Sequence, residues 1–127
     1  MKLYNSSGDT LFSDSSVDIK TCVEAAVAAV TDLEAVQLPG ADLSGANLAS
    51  ALMKNAYLDG AILTGADLTG AEMVRASLYG VSVVSADCTN ACFDQANLYA
   101  SNFTGATQTG MTCVCATTYG SIGIIGQ

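Results

Sequence analysis

Gly40-Ala41-Asp42-Leu43-Ser44, Gly45-Ala46-Asn47-Leu48-Ala49, Ser50-Ala51-Leu52-Met53-Lys54: from Val36 to Ala106 the chain repeats itself every five residues. Every fifth place from Ala41 to Ala106 holds a small residue, with Val81 and Ser101 as the departures from alanine. Two places further on, every fifth residue from Leu38 to Phe103 is larger and apolar. Helices repeat near 3.6 residues and strands near 2, so neither explains this period. It predicts a solenoid in which each short segment turns a corner and sends its small and its large residue to the same inner side.

The remaining three places of each five face outward. Asp42, Asn47, Asp67, Asp87, Asn97 and Asn102 each precede a large residue. Their short polar side chains suit a corner because they hydrogen-bond nearby backbone. Glycines such as Gly45, Gly65 and Gly105 allow backbone dihedrals that a side chain opposes. The pattern resembles the A(D/N)LXX units of the pentapeptide-repeat family. The resemblance implies an all-β solenoid, a right-handed quadrilateral β-helix, here of about four coils.

Four units per coil, as in that family, stack each residue under the one twenty places later, with coils about 4.8 Å apart. The inner stacks are then Leu38-Leu58-Leu78-Leu98, Leu43-Leu63-Val83-Phe103, Leu48-Leu68-Cys88 and Met53-Met73-Phe93-Cys113. A fully buried leucine contributes about 1.5–3 kcal/mol, so a charge at Leu63 or Leu68 should prevent folding. The next large place holds Gln108, which predicts that the regular coil, residues 36–107, ends near Thr107.

Residues 1–35 read as a separate N-terminal cap. Lys2-Leu3-Tyr4 and Thr10-Leu11-Phe12 flank a loop of turn residues, which predicts a small hairpin. Ser15 or Ser16 is expected to cap a helix starting near Val17, with Ile19, Cys22, Val23, Ala26, Val27 and Val30 as its apolar stripe. Its polar face is mostly acidic, unlike a membrane-surface helix, so it reads as a lid on the first coil. Residues 108–127 are expected to form an irregular coil or cap. Ile122, Ile124 and Ile125 lie among Gly120, Gly123 and Gly126, and either fold back or pair with a second chain.

Half of the 127 residues are hydrophobic, distributed as the repeat demands. That is enough for one compact domain. The longest apolar run, Ala25 to Val30, is far too short to span a bilayer. No basic and apolar signal opens the sequence, and five cysteines without paired spacing favour a reducing compartment. A cytoplasmic location is therefore expected. Cys22 and Cys88 are expected in the core. Cys88, Cys92, Cys113 and Cys115 have the number of thiolates for zinc but the wrong spacing, so free thiols are expected.

The chain contains no histidine and no tryptophan. It carries no phosphate loop, nucleophile elbow or persuasive metal-ligand cluster. No catalytic residue, cofactor or metal is expected; the outward aspartates read as corner residues. The stacked pair Asp67 and Asp87 is expected to raise the pKa of one member by like-charge repulsion. The expected function is a non-enzymatic structural or protein-interaction module with an unknown protein partner.

The candidate patch is a tyrosine ladder, Tyr79 and Tyr99 twenty apart, with Tyr57 beside them and Tyr119 continuing the spacing. Tyrosine is enriched at binding hot spots, yet stacked aromatics also stabilise adjacent strands by about 0.2–1 kcal/mol, and this second reading accounts for the ladder without a partner. A net charge of −8 argues against direct nucleic-acid binding. The family resemblance also implies an alternative: a DNA mimic that inhibits or protects a type II topoisomerase. Half of the acids precede the repeat, which weakens that alternative. Both a monomer and an end-to-end homodimer through the C-terminal segment are compatible with the sequence, and the short architecture resembles proteins of bacteria and their phages.

Overall fold

The computed structural model describes residues 1–125. Its wall is an unbroken ladder in which parallel bridges join residues twenty apart, from Asp32–Leu52 to Asn102–Ile122. From Gln37–Tyr57 onward each rung is a pair of backbone hydrogen bonds: Leu43 N–H donates to the Ile62 carbonyl at 2.8 Å, and Ile62 N–H donates to that of Ala41 at 2.9 Å. Between rungs the chain turns a corner closed by a bond such as Ala46 N–H to the Leu43 carbonyl, 3.0 Å. The third residue of that turn has positive φ, +65° at Gly45, as a type II turn requires.

The asparagines and aspartates of the repeat act at these corners. Asp42, Asn47, Asp67, Asp87, Asn97 and Asn102 each accept the backbone N–H two residues on, at 2.9–3.2 Å. Inside, every residue of the stacks from Leu38 to Phe103 is buried, and the alanines from Ala46 to Ala96 line the same core. Phe93 and Phe103 meet edge to face within this interior, with ring centroids 5.7 Å apart.

The ladder outruns the pattern at both ends. It begins at Asp32, ahead of Val36, because Leu33 already occupies a large inner place and is buried. It also passes Thr107, where the side-chain pattern predicts an end, and continues through Thr112 and Thr117 to Ile122. Backbone pairing does not depend on which side chain points inward, and Gly110 and Gly120 still supply the corners, at φ +68° and +73°. What changes after Thr107 is the interior. Gln108, Cys113 and Thr118 take the large places, and these residues are only half-buried.

Strands β1 (Lys2–Tyr4) and β2 (Thr10–Ser13) form an antiparallel hairpin with Leu3 opposite Phe12. Helix α1 spans Ile19–Ala28. Its N-cap is Asp18 rather than Ser15 or Ser16: the carboxylate accepts Thr21 N–H at 2.9 Å and the Thr21 hydroxyl at 2.8 Å. Ser16 is unavailable because its hydroxyl already bonds Asp14. The helix closes with a Schellman motif, in which Thr31 N–H reaches the Ala26 carbonyl and Val30 N–H that of Val27. Val30 therefore leaves the apolar stripe. It sits at φ +55°, 77% exposed.

The N-terminal segment meets the first coil through hydrogen bonds that its edge would otherwise lack. Asn5 bridges Val36 in antiparallel fashion, and Gln37 N–H donates to the Tyr4 carbonyl. From α1, Lys20 Nζ donates to the Ser44 carbonyl at 2.8 Å, and Glu24 accepts Asn47 N–H at 2.8 Å. Cys22, Val23 and Ala26 of the helix belong to the same buried cluster as the coil interior. The last two residues of the expected C-terminal cap, Gly126 and Gln127, lie outside the described residues.

Candidate interaction surface

Three tyrosines form one column on the outer wall. The place after each large residue on this face holds Tyr79, Tyr99 and Tyr119, so the ladder itself puts them one coil apart. The Tyr79 and Tyr99 rings lie 5.3 Å apart with planes 4° from parallel, and Tyr99 and Tyr119 follow at 5.5 Å and 30°. Tyr99, in the middle, is half-buried, while Tyr79 is 49% and Tyr119 76% exposed. Tyr57 stands in the adjacent column, bridged to Gln37 and Ser77, outside the ring stack. Its neighbour Asp59 pushes the Tyr57 phenol up, chiefly through its charge and further by hydrogen bonding.

Asp59 occupies the place below Tyr79 and ties the face together. It accepts the Ser77 hydroxyl at 2.6 Å and Tyr79 N–H at 3.0 Å. The column beside the rings continues as Ser77, Asn97 and Thr117. Above Asp59 the face is thus aromatic edges and hydroxyls flanked by neutral hydrogen-bonding groups. Nothing in local sequence marks Asp59 as the foot of the ladder; only the stacking of residues twenty apart brings it there.

Stacking over Asp67 does not raise the Asp87 carboxyl. The Thr89 hydroxyl, and after it the Thr89 N–H, hold that carboxyl below its usual range. Asp42 is lowered in the same way by Ser44. The cysteines are free: Cys22 and Cys88 are buried, Cys92 and Cys113 half-buried, and Cys115 exposed. Burial pushes the Cys88 thiol up to about 12. Among the described residues no group of three or more Cys, Asp or Glu side chains is placed to hold a metal ion. Nor is any described helix long and apolar enough to cross a membrane.

At the far end of the wall an open hollow of about 450 Å³ is lined by residues 111–116, Thr118 and Ile125. Gln108 beside it donates from Nε2 to the Gly123 carbonyl at 2.6 Å and accepts Ile125 N–H at 2.9 Å. Residues 31–65 and 46–83 match the family model of pentapeptide repeats, in eight copies. This chain is a pentapeptide-repeat protein.

HetL, a pentapeptide-repeat protein involved in heterocyst differentiation regulation from the cyanobacterium Nostoc sp., is similar in sequence and shape. The two share 32% identity over 72% of this chain and 42% of HetL, with a TM-score of 0.66. Rfr23 from the cyanobacterium Cyanothece 51142 shares 26% identity over 68% of this chain and 63% of its own, at a TM-score of 0.42. QnrB1, a plasmid-mediated fluoroquinolone resistance protein, shares 16% identity over 70% of this chain and 65% of its own, at 0.31. Neither of these two superposes well enough to bear on the shape or role of this pentapeptide-repeat protein. It spans less than two thirds of the length of HetL and of Rfr23. Curated proteins offer no match in sequence.

Proposed function

We propose that this pentapeptide-repeat protein is a non-enzymatic, cytoplasmic interaction module that binds a protein partner through the Tyr79–Tyr99–Tyr119 ladder. The observation that carries this reading is the ring geometry. Three aromatic side chains are held in register by a hydrogen-bonded wall, with the outermost ring 76% exposed. Stacking fixes the rings before any partner arrives, so binding loses little side-chain entropy, and tyrosine supplies apolar area with a polar tip. The neutral column of Ser77, Asn97 and Thr117 fits an uncharged protein surface better than a basic one.

The test replaces Tyr79 and Tyr99 with serine and, separately, Tyr119 with serine, then measures melting and partner capture from a cell extract. The double change should weaken both, since it removes the stack as well as the surface. Tyr119→Ser should reduce capture at least tenfold while moving the melting temperature little. Undiminished capture by both variants would leave the ladder as strand glue only. The alternative, a DNA mimic acting on a type II topoisomerase, draws on the net charge of −8. Its candidate acids Asp42, Asp67 and Asp87 are engaged at corners, and Asp59 is engaged beneath Tyr79. Inhibition of supercoiling at micromolar concentration would favour that alternative over the ladder.

A further inference from the structure

The last coil presents a strand edge that carries neither a proline nor a charged side chain of its own. One coil earlier, Phe93 and Gln95 donate their N–H groups to Thr112 and Val114, and the Ala91 carbonyl accepts Thr112 N–H. The equivalent groups one coil on, the N–H of Cys113 and Cys115 and the carbonyl of Met111, have no further coil among the described residues. Proteins blunt such edges with charge, proline or a covering segment. Proline is missing here, the one proline being Pro39, and residues 95–127 carry no charged side chain; the nearest carboxylate, Asp94 of the coil below, is occupied in accepting Val114 N–H at 2.8 Å. The edge is also rich in β-branched residues, Thr112, Val114 and Thr117, which favour pairing.

The covering segment is present. After Ile122 the chain leaves the wall, and Ile124 packs against the core cluster while Ile125, 75% exposed, lines the same open hollow as Met111 and Cys113. Two features hold this strap. Both amide atoms of Gln108 are committed to it, at Gly123 and Ile125. Gly123 lies so close to the Phe103–Thr104 peptide that a Cβ there would stand 2.6–2.9 Å from backbone atoms. We infer that Gln108 and the strap Gly123–Ile125 form a latch that shields the last coil edge and keeps copies of this chain from pairing end to end. This also explains glutamine at a place that holds leucine, or another apolar residue, throughout the coil below. An apolar side chain there would fill the interior but could not clasp the strap.

The latch is independent of the tyrosine ladder, and its test reads mass rather than capture. Light scattering after size-exclusion chromatography, in reducing buffer at several concentrations, should find the unmodified chain monomeric throughout. Gln108→Leu keeps the side-chain bulk and removes both bonds; Gly123→Ala leaves Gln108 intact and pushes the strap off. Each should give a mass that rises with concentration, with partner capture retained. Hydrogen exchange on the unmodified protein covers the case in which either variant fails to fold. The Ile125 amide should exchange at least tenfold slower than in a free peptide. An unprotected Ile125 amide, folded variants that stay monomeric, or an unmodified chain that already pairs would each overturn the latch.

Discussion

Ser101→Ala should make this protein more stable, although it removes a polar group and adds nothing. Ser101 occupies a small inner place in the column Ala41, Ala61, Val81, Ser101, and is 1% exposed. Its Oγ is buried without a hydrogen-bond partner among the described residues. A buried hydroxyl left unpaired costs about 1–3 kcal/mol, and deleting it forfeits some of the contacts of a single atom, well under that amount. The net gain should be about 1 kcal/mol, or about 4 °C in melting temperature for a domain of this size. Urea denaturation followed by circular dichroism would measure it. The reciprocal change one column-mate below Val81, Ala61→Ser, introduces the same burden and should cost about 1–3 kcal/mol. One coil above, the Ser121 hydroxyl bonds the Thr118 carbonyl, three residues back, at 2.5 Å. If Ser101→Ala destabilises, the Ser101 hydroxyl is making the equivalent bond to Leu98 and the reasoning fails.

Other outcomes follow from features of the same wall. Val30→Gly should stabilise by about 0.5–1 kcal/mol, because a left-handed residue with a side chain costs about 1–2 kcal/mol and glycine gives part of that back to the unfolded chain; an unchanged urea midpoint would refute this. In native protein at pH 7, maleimide should modify Cys115 first, while Cys22 and Cys88 react only as the chain opens, as mass spectrometry of the labelled peptides would show. The carboxyls of Asp42, Asp87 and Asp94 are lowered in the folded state by hydroxyl and backbone donors. The folded chain therefore binds fewer protons than the unfolded one in acid, and this stabilisation is complete above about pH 5 and lost as pH falls through the lowered values. Asp87→Asn should flatten part of that acid limb; an identical melting profile below pH 4 would refute the assigned cause.

The interior was legible because a period of five is visible without any tertiary information, and the family resemblance supplied the four-sided winding. The corners were legible for the same reason, since an Asx bond spans only two residues. The register at the ends was not. Leu33 and Thr112 lack the alanine partner that makes a unit recognisable, yet backbone pairing accepts them. Asp18 prevailed over Ser16 as helix cap because Asp14 had already taken the serine hydroxyl, a competition between neighbours that propensity does not rank. Tyr57 looked adjacent to Tyr79, but a separation of 22 rather than 20 places it in the next column, out of stacking reach. The closure of the first coil by Lys20 and Glu24 gave no local signal, because both partners lie more than twenty residues away.

Stacking at twenty residues with corners every five gives this molecule an arithmetic of length. Removing any twenty consecutive residues from the middle of the wall returns every later side chain to its own face. Removing five rotates everything beyond by a quarter turn. A five-residue deletion between Tyr79 and Tyr99 would keep the apolar interior intact, since each inner place would still receive a small or large residue. It would nevertheless carry Tyr99 and Tyr119 round the corner, away from Tyr79. Shortened relatives of this chain that keep three tyrosines in line should therefore differ from it by whole laps, while those that keep only the fold are free to differ by single corners.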